Sequence, residues 1–111
     1  MIKYDKKTKD GNVAVIISRG FGAGWSTWNH EDDLNEAMKF DSRLVDLIEN
    51  GESEKITEDF LQNLWGVDYS ICTLGSNGLD VVWLPFGTQF YIDEYDGAES
   101  IVTSDHFSST A

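Results

Sequence analysis

Asn12-Val13-Ala14-Val15-Ile16-Ile17-Ser18 is the stretch on which the fold turns. Val13, Val15 and Ile17 alternate with Ala14 and Ile16, so both faces of an extended segment are apolar. Such a run predicts a strand covered on both sides. Before it, residues 1–10 are lysine-rich and polar and read as a short arm leading into a turn at Asp10-Gly11. After it comes Arg19-Gly20-Phe21-Gly22-Ala23-Gly24-Trp25-Ser26-Thr27-Trp28-Asn29. Glycines at alternate positions there prevent a regular element and permit conformations other residues avoid.

Helical periodicity follows. Leu34, Ala37 and Met38, then Phe40, Leu44, Val45, Leu47 and Ile48, recur at three- and four-residue spacing. Asp41 is placed to cap the second of these segments, which stops at Asn50-Gly51. A third helix starts at Thr57 as N-cap, with Glu58 and Asp59 in the positive first turn. Ile56 and Leu61 stand at the two positions of a hydrophobic staple, and Gly66 ends the helix.

The remainder reads as sheet. Residues 69–74 and 79–84 are expected strands joined by a hairpin turn at Gly75-Ser76-Asn77-Gly78, and Pro85 cuts off the second. Residues 89–95 alternate cleanly, Asp96-Gly97 signals a turn, and residues 100–103 suit a last short strand. Residues 104–111 are small and polar apart from His106 and Phe107, and read as a fraying tail. The expected fold is a small single α+β domain spanning residues 1–111. It has an N-terminal strand, two or three helices and a C-terminal antiparallel meander of three or four strands.

Composition bounds the function. The chain has 111 residues, 41% of them hydrophobic, with 4 Trp, 4 Tyr and 6 Phe, enough for one real core. Lys+Arg is 8 against Asp+Glu 20, a formal net charge of -12. A surface of that sign repels phosphates and anionic lipid headgroups, which argues against direct nucleic-acid or membrane partners. It favours proteins with a basic surface. Cys72 is the single cysteine, so no intrachain disulfide forms. With neither a signal-peptide pattern nor an apolar run approaching the roughly 20 residues of a membrane span, a reducing cytoplasm is the expected compartment.

Catalytic chemistry is poorly supplied. His30 and His106 are the only histidines, one at the start of a polar helix and the other in the tail. Neither position suits a nucleophile–base arrangement, so no catalytic residue is assigned and the chain is read as a non-enzyme. The acidic turn Asp93-Glu94-Tyr95-Asp96-Gly97-Ala98-Glu99 fails as a calcium loop. With Gly97 at the sixth position, the first ligand position falls on Ile92. No metal or cofactor is implied.

The glycine loop is the candidate binding site. It follows a buried strand and precedes a helix, where phosphate-cradling loops sit. Arg19 offers a cation, Gly20, Gly22 and Gly24 offer backbone N–H groups, and Ser26 and Thr27 offer hydroxyls. Trp25 stands where a dinucleotide fingerprint has its last glycine, and the Gly-Lys-Ser/Thr ending of a P-loop is absent. The competing reading makes Trp25 and Trp28 core anchors, with the glycines passing close beneath them.

Two segments, Arg19 to Asn29 as quoted above and Val82-Trp83-Leu84-Pro85-Phe86-Gly87-Thr88-Gln89-Phe90-Tyr91-Ile92-Asp93-Glu94-Tyr95-Asp96-Gly97-Ala98-Glu99-Ser100, resemble a family of small tailed-phage proteins of uncharacterised function. The likeness runs from about Asn12 to Ile101 and carries no catalytic residues with it. It implies expression in a host bacterial cytoplasm during infection. Three functions fit the resemblance and the charge. The first is an accessory protein that binds and inhibits a host protein, such as a defence effector or nuclease. The second is a sponge holding an anionic nucleotide signal at the Gly/Trp loop, and the third is a virion structural or assembly component.

Overall fold

In a computed structural model, which describes residues 2–103 and 109–111, the apolar run forms strand β2 (Asn12–Ser18). Val13 through Ile17 are at most 1% exposed. A strand so buried has to satisfy its backbone groups within the protein. Strand β1 (Thr8–Lys9) pairs antiparallel on one side of it, turning back through Asp10-Gly11. Strand β3 (Leu79–Pro85) pairs antiparallel along its full length on the other, with Asn12 opposite Pro85 and Ser18 opposite Leu79. A second sheet sets β4 (Gln89–Tyr95) between β5 (Ala98–Thr103) and β6 (Ser109–Thr110).

The two faces of β2 feed two cores. Ala14 and Ile16 pack with Trp25, Leu34, Met38, Leu44, Leu61 and Trp65 on the helical side. Val13 and Val15 pack with Phe40 and Phe90, and with Ile92 and Ile101 of the second sheet. Phe40 and Phe90 meet edge to face, with ring centroids 6.0 Å apart at 82°, a geometry worth about 0.5–1.5 kcal/mol beyond the area it buries. The chain is therefore an α+β domain with a sheet between helices and a second sheet.

The helices are α1 (Asp32–Phe40), α2 (Ser42–Glu49) and α3 (Glu58–Trp65). Asp41 separates the first two. It is fully buried, caps α2 by accepting from the Arg43 amide at 2.9 Å, and also accepts from Trp65 Nε1 at 2.7 Å. The Arg43 guanidinium lies 2.8 Å from the same carboxylate and matches its charge. Thr57 Oγ1 accepts from the Phe60 amide at 3.2 Å, so α3 starts at its expected cap, and Gly66 ends it in the left-handed region.

Three expectations need correction. Residues 69–73 form no strand, and residues 74–78 are a 3₁₀ turn (Leu74–Gly78) in place of a hairpin turn. Backbone groups of Tyr69, Ile71 and Cys72 are taken by side chains. The Asn29 amide exchanges two hydrogen bonds with Cys72, Glu58 accepts from the Ile71 amide, and Gln62 donates to the Tyr69 carbonyl. As a result β3 pairs with β2 and does not join β4 in one meander. At the chain's end, Ser109–Thr110 is strand β6 instead of a frayed tail, while residues 104–108, with His106 and Phe107, lie outside the described residues.

Candidate functional site

The glycine loop leaves β2 at Ser18 and runs to a 3₁₀ turn at Ser26–Trp28. Its shape is set by a residue 72 to 81 positions away, Glu99 on β5. The Asp96-Gly97 turn joins β4 to β5 with φ of 49° and 87°, the left-handed pair a two-residue hairpin needs. Glu99 follows it, only 3% exposed. Its Oε1 accepts from the Ser18 amide at 2.9 Å. Its Oε2 accepts from the Trp25 amide at 2.7 Å, the Thr27 amide at 3.1 Å and the Thr27 hydroxyl. Converging backbone N–H groups of this kind form an anion-binding nest. Here the anion is the protein's own side chain.

Two further contacts hold the loop. The Gly22 amide donates to the Asp96 carbonyl, and a Cβ on Gly97 would fall 2.2 Å from the Ala23 nitrogen, so the hairpin tip lies directly on the loop. From the other side, Ser18 Oγ donates to the Gly75 carbonyl at 3.0 Å and the Arg19 amide to the Gly78 carbonyl at 2.9 Å. A Cβ on Gly75 would stand 2.4 Å from the Gly24 carbonyl oxygen. The loop is clamped between the β4–β5 hairpin and the 3₁₀ turn at Leu74–Gly78.

The expected site residues separate into groups. Trp25 is fully buried and donates Nε1 to the Met38 carbonyl at 2.8 Å, so it is a core anchor. Gly24 and Ser26 are buried, and Ser26 Oγ has no hydrogen-bond partner among the described residues. Thr27 is engaged by Glu99, and half-buried Trp28 folds back over Gly24. Arg19 is exposed and pairs with Asp80, so the loop's cation already has its counter-charge. Gly20 and Gly22 reach the surface, where they line a cleft of about 180 Å³ facing Gly75 and Gly78. Phe21 and Leu74 stand at its sides, each 73% exposed.

Sequence reasoning missed Glu99, Phe21 and Leu74. For Glu99 the sequence offers only its place two residues after the Asp96-Gly97 turn. For the surface charge the signal was simpler. The chain carries no Lys or Arg after Lys55, although nine of its acidic residues follow that position. Further acidity gathers at the start of α1, where burial and then Glu31 and Asp33 raise the Tyr69 phenol above its usual range. Among the described residues, no group of three or more His, Cys, Asp or Glu is placed to hold a metal ion, and no helix is long and apolar enough to cross a membrane.

No family model, curated protein or solved structure matches the chain.

Proposed function

We propose that the chain is a non-catalytic, phage-type accessory domain that binds a basic surface of a host protein in the bacterial cytoplasm and inhibits that protein. The observation carrying this reading is the Glu99 carboxylate in the loop's nest. The amides of Trp25 and Thr27, which a nucleotide phosphate would need, are already satisfied by a fixed internal anion. A sponge would have to displace that carboxylate and then free Arg19 from Asp80. The cleft outside the loop is also small. Drug-sized ligands occupy about 300–1,000 Å³, well above the 180 Å³ available there.

Charge supports the same reading. Lys7, Arg19, Lys39, Arg43 and Lys55 are paired with Asp46, Asp80, Glu36, Asp41 and Glu52. The excess carboxylates are left facing solvent, among them Asp93, Glu94 and Asp96 on the hairpin. Complementary potentials of this kind steer association and select partners. A lysine also ties the last strand to the helices. Lys39 Nζ donates to Ser109 Oγ at 2.7 Å and lies 2.6 Å from Glu36 Oε2. The contact anchors β6 to α1.

The test is affinity capture from bacterial lysate at low and high salt, followed by assay of the captured protein's own activity. The expected result is a specific protein, inhibited by the domain and released as salt rises, because exposed charges are screened over about 8–10 Å at physiological ionic strength. Capture that ignores salt, or a captured protein whose activity is untouched, overturns the reading.

A further inference from the structure

The cleft beside the glycine loop has a composition that points to one kind of occupant. Its floor is largely backbone, because Gly20, Gly22, Gly75 and Gly78 place no side chains there, and Ser18, Ala23 and Asn77 complete the lining. Its walls are Phe21 and Leu74, two large apolar side chains each 73% exposed. An apolar cavity of about 150 Å³ accepts a benzene ring, so 180 Å³ has room for a single aromatic or long aliphatic side chain. The backbone carrying both walls is held in place. Phe21 lies between Gly20 and Gly22 on a loop clamped by Glu99 and Asp96, and Leu74 opens the 3₁₀ turn whose Gly75 receives Ser18. A backbone held before binding has less entropy to lose around a guest than a free loop has.

The charge around the cleft selects what the apolar group arrives on. The hairpin tip that carries Asp96, with exposed Asp93, Glu94 and Tyr95 beside it, rests on the loop through the Gly22–Asp96 hydrogen bond. Arg19, the cation nearest the cleft along the chain, is matched by Asp80. We infer that the cleft between Phe21 and Leu74 receives one apolar side chain from a basic segment of the partner protein. The lysines and arginines flanking that side chain then face the β4–β5 hairpin. This rests on the protein-binding reading above and names the surface and the partner's chemistry.

The experiment is a titration of the ¹⁵N-labelled full chain with three synthetic peptides: Lys-Lys-Phe-Lys-Lys, Lys-Lys-Ala-Lys-Lys and Glu-Glu-Phe-Glu-Glu. The amides of Gly20, Gly22, Gly75 and Gly78 are followed by NMR. The basic phenylalanine peptide is expected to shift these four amides saturably, and each of the other two to bind about tenfold more weakly or worse. The double variant Phe21→Ser/Leu74→Ser should lose the response while its spectrum otherwise overlays that of the wild type. Equal binding of the Phe and Ala peptides, equal binding of the basic and acidic Phe peptides, shifts that bypass the four glycines, or no response at millimolar peptide would each overturn the inference. Host-protein capture that survives in the double variant sinks the cleft and leaves the broader reading standing. Absence of any captured protein sinks the broader reading itself.

Discussion

The Glu99 carboxylate accepts a hydrogen bond from the Trp25 amide at 2.7 Å, across 74 positions of the chain. That contact joins the hairpin of one sheet to the loop leaving the other, and it fixes both the core tryptophan and the outer surface of the loop. Replacing Glu99 by Gln keeps the shape, removes the charge and turns an NH₂ group toward a ring of donors. Hydrogen bonds to charged groups contribute about 1.5–3 kcal/mol each, so Glu99→Gln is expected to destabilise the fold by at least that range. Urea unfolding measures it as a lower midpoint at unchanged slope. A change within about 0.5 kcal/mol would show that the nest is not held by this anion.

Gly75 and Gly20 both line the cleft yet differ in what a methyl group would meet. At Gly75 it would strike backbone, with the Gly24 carbonyl oxygen 2.4 Å away, whereas at Gly20 nothing lies within 4 Å. Gly75→Ala should cost about 1–3 kcal/mol, as overpacking does, and Gly20→Ala should stay within about 0.5 kcal/mol of the wild type. Thermal melts of the two variants distinguish them. Equal melting temperatures would mean that the 3₁₀ turn is not clamped against the loop.

Thr57 caps α3 at an exposed position. Thr57→Ala should lose about 1 kcal/mol of stability and leave partner capture unchanged. A variant that melts like the wild type but captures nothing would place the binding surface on α3.

The alkaline limb of stability has a defined sign. Burial first, then the charges of Glu36, Asp41 and Asp33, raise the Tyr4 phenol above its ordinary 10.0 in the folded protein. Above that value the unfolded chain has lost a proton that the native state still holds, so stability falls with rising pH. The contribution is complete below about pH 10 and is lost as pH climbs through the folded value. Urea midpoints between about pH 8 and 11 should decline less steeply in Tyr4→Phe than in the wild type. Parallel curves would remove Tyr4 as the source.

Much of the fold was legible because its signals are local. The apolar run of β2, the caps at Asp41 and Thr57, the staple of Ile56 and Leu61, and the Asp96-Gly97 turn each depend on neighbours within a few residues. The misread segment, residues 69–74, has strand-like alternation, but its backbone is satisfied by Asn29, Glu58 and Gln62, whose approach is a tertiary event. Side chains of this type compete with ladders for backbone groups. The site suffered the same blindness. The sequence shows a loop with donors fit for an anion, and Glu99, seventy residues on, looks like one more solvated acid after a turn. Only the fold shows that the loop's anion is already there.

With the Glu99 carboxylate in the nest, the proposed function leaves the outer face of the loop to a protein partner. The most direct measurement is a ¹⁵N NMR titration of the wild type with mono-, di- and cyclic nucleotides at millimolar concentration, following the Ser18, Trp25 and Thr27 amides. No saturable shift is expected at any of the three. Saturable shifts at Trp25 and Thr27 with any nucleotide would contradict this, since a phosphate would then be taking the place of the Glu99 carboxylate.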